Sequence, residues 1–230
     1  MRCELSRLRK FLSYLYLLNY TDKDLTSFVP QYRLGGSQSM VKIWESDEIE
    51  AVLETVDRSS VKGKRDYAFI LIAAELGVRS KDIRELKVSD FDWEICSISF
   101  QQSKTHNPNV LPLSERVGSA VIDYLQVRPE TDHDYLFVSM NPPYDKLQSF
   151  GTAFKRYVSR SGVKIPTKAH HSLHSLRATA ATKLLDAGVS PDVIFSFLGH
   201  SDRDSLVNYI RLDIETLREC ALSFEDGELL

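Results

Sequence analysis

The run Phe69-Ile70-Leu71-Ile72-Ala73-Ala74 constrains the fold of this chain more than any other feature. It lies in a helical stretch, roughly Arg65 to Leu76, that is hydrophobic on nearly every face and is ended by Gly77. Such a helix has no side to turn to solvent. It must sit at the centre of a core with other elements packed around it. A chain of 230 residues, 43% hydrophobic, is long enough to build one core of that kind.

The elements available to surround it are mostly helices. Leu5, Leu8, Phe11, Leu12, Leu15 and Leu18 recur at helical spacing near the N-terminus. Ser46 reads as the cap of a helix with Asp47 and Glu48 in its first turn and Ile49, Val52, Leu53 and Val56 on one face. Ser80 opens a short helix through about Lys87. Ser114 caps another, with Val117, Val121, Tyr124 and Leu125. A helix from about Leu147 to Val158 carries Phe150, Phe154 and Tyr157. Leu176 to Ala187 is helical and stops at Gly188. Ser190 followed by Pro191 starts the next helix, which Gly199 ends, and Tyr209 falls in or just after a further short one. The single β signal is the alternation from Ile95 to Phe100. Val110-Leu111-Pro112-Leu113 returns from it after a turn containing Asn107-Pro108-Asn109. The expected fold is mainly α with a small antiparallel β-sheet (α+β). Gln31 to Ser39, with Gly35, Gly36 and two serines, reads as a linker that separates residues 1–39 from 40–230.

Bulk properties exclude several classes. No run of apolar residues reaches the roughly 18 needed to cross a membrane, and the charged N-terminus lacks a signal-peptide core. Cys3, Cys96 and Cys220 are odd in number and far apart, which suits a reducing cytoplasm and suggests neither a disulfide framework nor a zinc site. The net charge of −3 argues against a nucleic-acid partner, but its distribution argues for one. From Lys146 through Leu185 there is no acid, while eight lysines and arginines occur. One reading of that block is a phosphate-binding face built from Lys155, Arg156, Arg160, Lys164, Lys168 and Lys183; the other is a solvated helix surface. Beyond Tyr209 the tail turns acidic.

Six residues form a chemical set: Arg79, Lys104, His174, Arg177, His200 and Tyr209. Attack on a phosphodiester builds negative charge on its non-bridging oxygens, and preorganised donors aimed there stabilise the transition state. Two guanidinium forks serve that purpose better than lysines. A tyrosine hydroxyl, with a pKa of about 10, needs nearby cations or a base to attack at neutral pH. There is no Gly-x-x-x-x-Gly-Lys phosphate loop and no carboxylate cluster at metal-ligand spacing, so neither a metal nor a cofactor is expected. Asp82, one helical turn after Arg79, either orients that guanidinium or is a helix-surface acid. His170 and His171 read as exposed loop residues rather than DNA contacts.

The local sequences around these residues resemble the tyrosine recombinase, or phage integrase, family. His174-Ser175-Leu176-Arg177 resembles its His-x-x-Arg box, followed by Leu198-Gly199-His200 and, nine residues on, Tyr209. Leu76-Gly77-Val78-Arg79 resembles its first-arginine box, and Lys104 its hairpin lysine. The resemblance covers about residues 40–222. It implies the family's catalytic-domain fold and a metal-free, ATP-free reaction through a 3′-phosphotyrosine. It also implies protonation of the 5′ oxygen by Lys104 and support of Arg79 by Asp82. The phosphate is then held by Arg79, Arg177 and His200, with His174 as base or hydrogen-bond partner of Tyr209. The partners implied are double-stranded DNA and further copies of the chain: a tetramer on DNA and a monomer in solution.

Two departures from the family pattern matter. Arg7 to Leu15 resembles only the last helix of the N-terminal core-binding domain, so the chain reads either as a fragment or as a frame that starts late. The amphipathic segment Ile214 to Phe224 packs either on a neighbouring subunit or on its own domain. The main reading is a site-specific recombinase or integrase. The alternatives are a truncated, non-catalytic DNA-binding relative that occupies or regulates a recombination site, and a topoisomerase-like relaxing enzyme.

Overall fold

The computed structural model describes residues 2–29, 41–166, 169 and 171–198. The chain divides into two units, Met1–Ser39 and Met40–Leu230. In the first, helix α1 (Arg2–Leu17) is followed by a 3-10 turn, Leu25–Phe28, which Asp24 caps by accepting from the Thr26 amide at 2.9 Å. Arg9 Nη2 ties the two together by donating to Val29 O at 2.6 Å. Phe11, Tyr14 and Leu17 are exposed. The anticipated linker, Gln31 to Ser39, lies outside the described residues.

The second unit begins with α2 (Ser46–Glu54), α3 (Val61–Glu75) and α4 (Ser80–Glu85). A three-stranded sheet follows: β1 (Phe91–Asp92), β2 (Ser97–Gln101) and β3 (Pro108–Pro112). Then come α5 (Glu115–Leu125), α6 (Gly151–Arg160), α7 (Leu173–Asp186) and α8 (Pro191–Leu198).

The all-apolar helix is the centre of the core. Residues 68–73 of α3 are at most 1% exposed, and α5 and α7 pack against it. Phe69 stacks on Phe150 at 4.1 Å between ring centroids and meets Phe137 edge-on at 5.1 Å. The helix starts four residues earlier than its apolar run suggests. Ser60 Oγ accepts from the Gly63 amide at 3.0 Å and caps a polar first turn. The helix α2 is likewise capped one residue earlier than expected: the Glu45 amide donates to Glu48 Oε2 at 3.0 Å, and Ser46 is already helical. The residues just ahead of α2 are strapped to α7. The Trp44 amide donates to Thr179 Oγ1 at 2.9 Å, and its indole Nε1–H donates to Ser175 Oγ at 2.7 Å.

Two further boundaries differ from the pattern-based expectation. Leu147 to Phe150 precede α6 rather than belonging to it, because the Leu147 amide is committed to Phe137 O at 2.9 Å. The helix α7 begins at Leu173, three residues early, and so includes His174.

The sheet is antiparallel in the order β1-β2-β3. Its register pairs Ser97 with Pro112 and Gln101 with Pro108. Pro108 and Asn109 therefore belong to β3 and not to the turn. An edge strand tolerates prolines, which have no N–H to give to the ladder. The turn itself spans residues 102–107. The Gln102 amide donates to Asn107 O at 3.0 Å, and the His106 amide donates to Gln102 O at 2.8 Å. The strand β1 is only two residues long, too short for alternation to reveal it.

Candidate active site

The helix α7 supplies two of the six residues. His174 and Arg177 are three positions apart and share one side of the helix. His174 lies in the first turn and is exposed, while Arg177, one turn deeper, is only 3% exposed. Arg177 is held at both ends of its fork. Nη1 donates to Gly77 O at 2.7 Å and Nη2 to Leu198 O at 2.5 Å. Gly77 makes this approach feasible. Its φ is +59°, and a Cβ there would lie 2.9 Å from Leu198 Cδ2 and 3.1 Å from Ala180 Cβ. The glycine thus turns the chain out of α3, lets α7 and α8 close on it, and delivers Arg79 to the start of α4.

Arg79 occupies the N-cap position of α4, with a side chain 19% exposed. Its Nη1 donates to Gln102 Oε1 at 2.9 Å and lies 3.7 Å from Asp82 Oδ2. Asp82 is buried, not a surface acid. Its other oxygen, Oδ1, accepts from the Ser103 amide at 3.0 Å and from Ser103 Oγ at 2.6 Å. The carboxylate therefore bridges Arg79 to the β2–β3 turn. Lys104, the next residue, is exposed on that turn.

The electrostatics link these elements to His174. Its imidazole is shifted below its ordinary value of 6.5, first by desolvation and then by the positive charges of Arg177 and Arg79. The residue is exposed by surface area, yet the ring is hemmed in by enough protein to disfavour its charged form. The free protein thus presents a neutral imidazole at pH 7, which is able to accept a proton. Beside it lies a shallow cleft of about 260 Å³. Ser80, Arg84, Ser149, Gly151, Ser172 and His174 contribute to its lining.

The basic block divides. Lys155, Arg156 and Arg160 are exposed on the outer side of α6, whose first residue, Gly151, borders the cleft, and Lys164 is exposed just beyond the helix. Among the described residues none of these four has an ion-pair partner. Lys183 is also exposed, on α7. Nine positions after His174, at about 100° per residue, it lies half a turn round α7, and its Nζ donates to Ser46 Oγ at 2.9 Å. Lys168, His200 and Tyr209 lie outside the described residues, as does Ile214 to Phe224.

Gln102 and Ser103 are functional neighbours that the motif reading passed over. A signal existed: Ile98, Phe100 and Gln102 continue one period-2 face towards the core, which makes Gln102 a polar residue where an apolar one is expected. Among the described residues no group of three histidine, cysteine or acidic side chains is arranged to hold a metal ion. No described helix is long and apolar enough to cross a membrane.

A mainly helical domain with two arginines, a hairpin lysine and a neutral imidazole gathered at one edge defines a class, and comparison with known proteins agrees. Residues 42–216 match the phage integrase family, and the chain belongs to it. It is 37% identical over 192 residues to "Putative integrase/recombinase y4gC" of Sinorhizobium fredii (strain NBRC 101917 / NGR234), a match that covers 83% of this chain and 99% of that protein. It is 32% identical to y4rA of the same organism over 94% of this chain but only 52% of that protein, so it spans about half of y4rA's length. Among solved structures it resembles the XerA recombinase, with a TM-score of 0.67 at 25% identity over 82% of this chain and 67% of that one. The XerH site-specific recombinase bound to palindromic difH substrate shares the fold, with a TM-score of 0.70 at 21% identity over 96% of this chain and 72% of that one.

Proposed function

We propose that this chain carries the catalytic domain of a site-specific DNA recombinase and acts on double-stranded DNA by transesterification. The observation that carries this reading is geometric: Arg177 Nη1 donates to Gly77 O at 2.7 Å, two residues before Arg79, and His174 lies one turn from Arg177 on α7. A scissile phosphate placed there meets two cationic forks. The Tyr209 oxygen attacks phosphorus and gives up its proton to His174. The bond from phosphorus to the 5′ oxygen breaks, and Lys104 supplies the proton that oxygen needs. His200 donates to a non-bridging oxygen. The products are a 3′-phosphotyrosine ester and a free 5′-hydroxyl. The ester keeps the bond energy, so the 5′-hydroxyl of a second strand reverses the step without ATP.

Several observations support the wider reading. Lys155, Arg156 and Arg160 are exposed on α6, whose first residue borders the cleft, which supports a role in phosphate-backbone contact. The similar XerH structure is bound to palindromic difH substrate, and a similar structure of the Tn1549 transposon integrase is in complex with circular intermediate DNA. In this reading residues 1–39 are the last helix of a core-binding domain plus its linker. The chain works as a tetramer on DNA and is a monomer when free.

The test uses nicked duplexes taken from the DNA that borders the gene, so that the cleaved strand diffuses away and traps the intermediate. The expected result is a denaturation-resistant protein–DNA adduct that Tyr209→Phe abolishes. Retention of DNA in low salt with no adduct at any protein concentration would leave the non-catalytic reading in its place.

A further inference from the structure

We infer that Gln102 is a positioning residue that locks the Lys104 turn to both arginines, so that the proton donor and the phosphate clamp are set as one unit. The inference rests on the recombinase reading above. Gln102 is 2% exposed, and both ends of its side-chain amide are engaged. Oε1 accepts from Arg79 Nη1 at 2.9 Å and from Thr105 Oγ1 at 3.0 Å. Nε2 donates to Leu198 O at 3.4 Å, the carbonyl that also accepts from Arg177 Nη2 at 2.5 Å. Its backbone N–H and C=O close the turn on Asn107 and His106. Gln102, Ser103 and Thr105 are therefore all anchored inward, and Lys104 is the residue among them left projecting into solvent.

The choice of an amide has a chemical reason. A leucine would fill the space but leave Arg79, Thr105 and Leu198 without this partner. A glutamate would accept from Arg79 more strongly, but its charge would neutralise the guanidinium that the phosphate must engage, and it could not donate to Leu198 O. Glutamine is neutral, accepts at one end and donates at the other. It holds Arg79 in place without consuming its charge. Asn109 reinforces the same junction from β3, with Nδ2 donating to Phe197 O at 3.1 Å. The hairpin is thus pinned to the last two described carbonyls of α8.

The experiment compares single-turnover adduct formation on two nicked duplexes that differ at one atom. One carries the natural 5′ oxygen at the scissile bond and the other a bridging sulfur. When the P–S bond breaks, the thiolate leaves with the electron pair and needs no proton, so the sulfur substrate bypasses the proton donor. Gln102→Leu is expected to slow cleavage of the oxygen substrate by about 10-fold to 100-fold, the scale of a misplaced catalytic group. On the sulfur substrate the deficit should be clearly smaller but should not vanish, because Arg79 has also lost a partner that holds it. Gln102→Glu, which keeps the acceptor, should be slow on both substrates because its carboxylate competes with the phosphate for Arg79. The inference is overturned if Gln102→Leu matches the parent on oxygen, if it is equally slow on both substrates, or if Gln102→Glu behaves as the parent does. Absence of adduct from the parent protein itself would instead defeat the recombinase reading.

Discussion

Two buried aspartates of this domain each face an arginine, and they do opposite things with it. Asp66 on α3 is fully buried, and both its oxygens are saturated. Oδ1 accepts from Arg65 Nε at 2.8 Å and Nη2 at 2.6 Å. Oδ2 accepts from Tyr157 Oη at 2.6 Å and from Lys62 Nζ. Arg65 spends its remaining nitrogen on Val138 O at 2.7 Å and is 5% exposed. That cluster closes on itself, joining α3, α6 and the strand-like segment at Val138. Burial and the hydrogen bond to Asp66 both push the Tyr157 phenol up, so it remains a neutral donor. Asp82 is equally buried but stands 3.7 Å from its arginine and gives its shorter bonds to Ser103. Arg79 keeps 19% of its side chain open. A carboxylate that saturates an arginine makes a strut. One that stands 3.7 Å away steadies the arginine while 19% of that arginine's side chain stays exposed.

The largest effect that separates the two clusters is on stability. Asp66→Ala leaves a buried guanidinium without its counter-charge, which costs about 3–5 kcal/mol. In a domain of this size that lowers Tm by about 10 °C or more. Urea or thermal unfolding measures it, while the rate of adduct formation by the folded fraction stays at the parent value. A loss of cleavage without a loss of stability would reverse the roles assigned to the two aspartates.

The open cluster should show the converse. Asp82→Asn keeps an oxygen for Ser103 but removes the charge that faces Arg79. Cleavage is expected to fall about 10-fold, equivalent to roughly 1.4 kcal/mol of transition-state stabilisation, with Tm shifting by only a few degrees. A variant that cleaves at the parent rate would show that Asp82 holds the turn and nothing more.

The contrast also explains what the sequence could and could not reveal. The all-apolar run of α3 announced the core because hydrophobic periodicity is a local property. The His174–Arg177 pair was picked out by its resemblance to the family's His-x-x-Arg box, whose residues are close in sequence. Arg79 was picked out by the resemblance of Leu76-Gly77-Val78-Arg79 to the family's first-arginine box. The strut was not: nothing local distinguishes Asp66 from an ordinary helix-surface acid, since its partner Tyr157 is 91 residues away. Gln102 did carry a local mark, a polar side chain on the inward face after Ile98 and Phe100, but its meaning comes from Arg79 and Leu198, brought to it by the fold. Lys183 shows the limit of counting charge along a sequence. Its charge counted towards a basic block in one dimension, whereas helical rotation turns it towards Ser46.

The smallest effect is the most direct report on the open cluster, because it reads Arg79's charge in the absence of DNA. His174 titrates below 6.5 in the folded protein, through desolvation together with Arg177 and Arg79. Above that ordinary value both the folded and unfolded states carry a neutral imidazole, and the group has no influence on stability. As pH falls below it, the unfolded chain takes up a proton first, so His174 makes the protein progressively less stable until the depressed folded pKa is passed. Arg79→Gln removes one of the two positive charges and should raise the His174 pKa towards its ordinary value without reaching it, because desolvation and Arg177 remain. Asp66→Ala should leave it unmoved. Ring resonances followed by NMR across pH, and assigned with His174→Asn, give both values directly. An imidazole that titrates at 6.5 or above in the parent, or that ignores Arg79→Gln, would mean that the two arginines do not share one field with His174. A phosphate docking between them should shift the same titration upward, because its negative charge offsets theirs and favours the protonated ring.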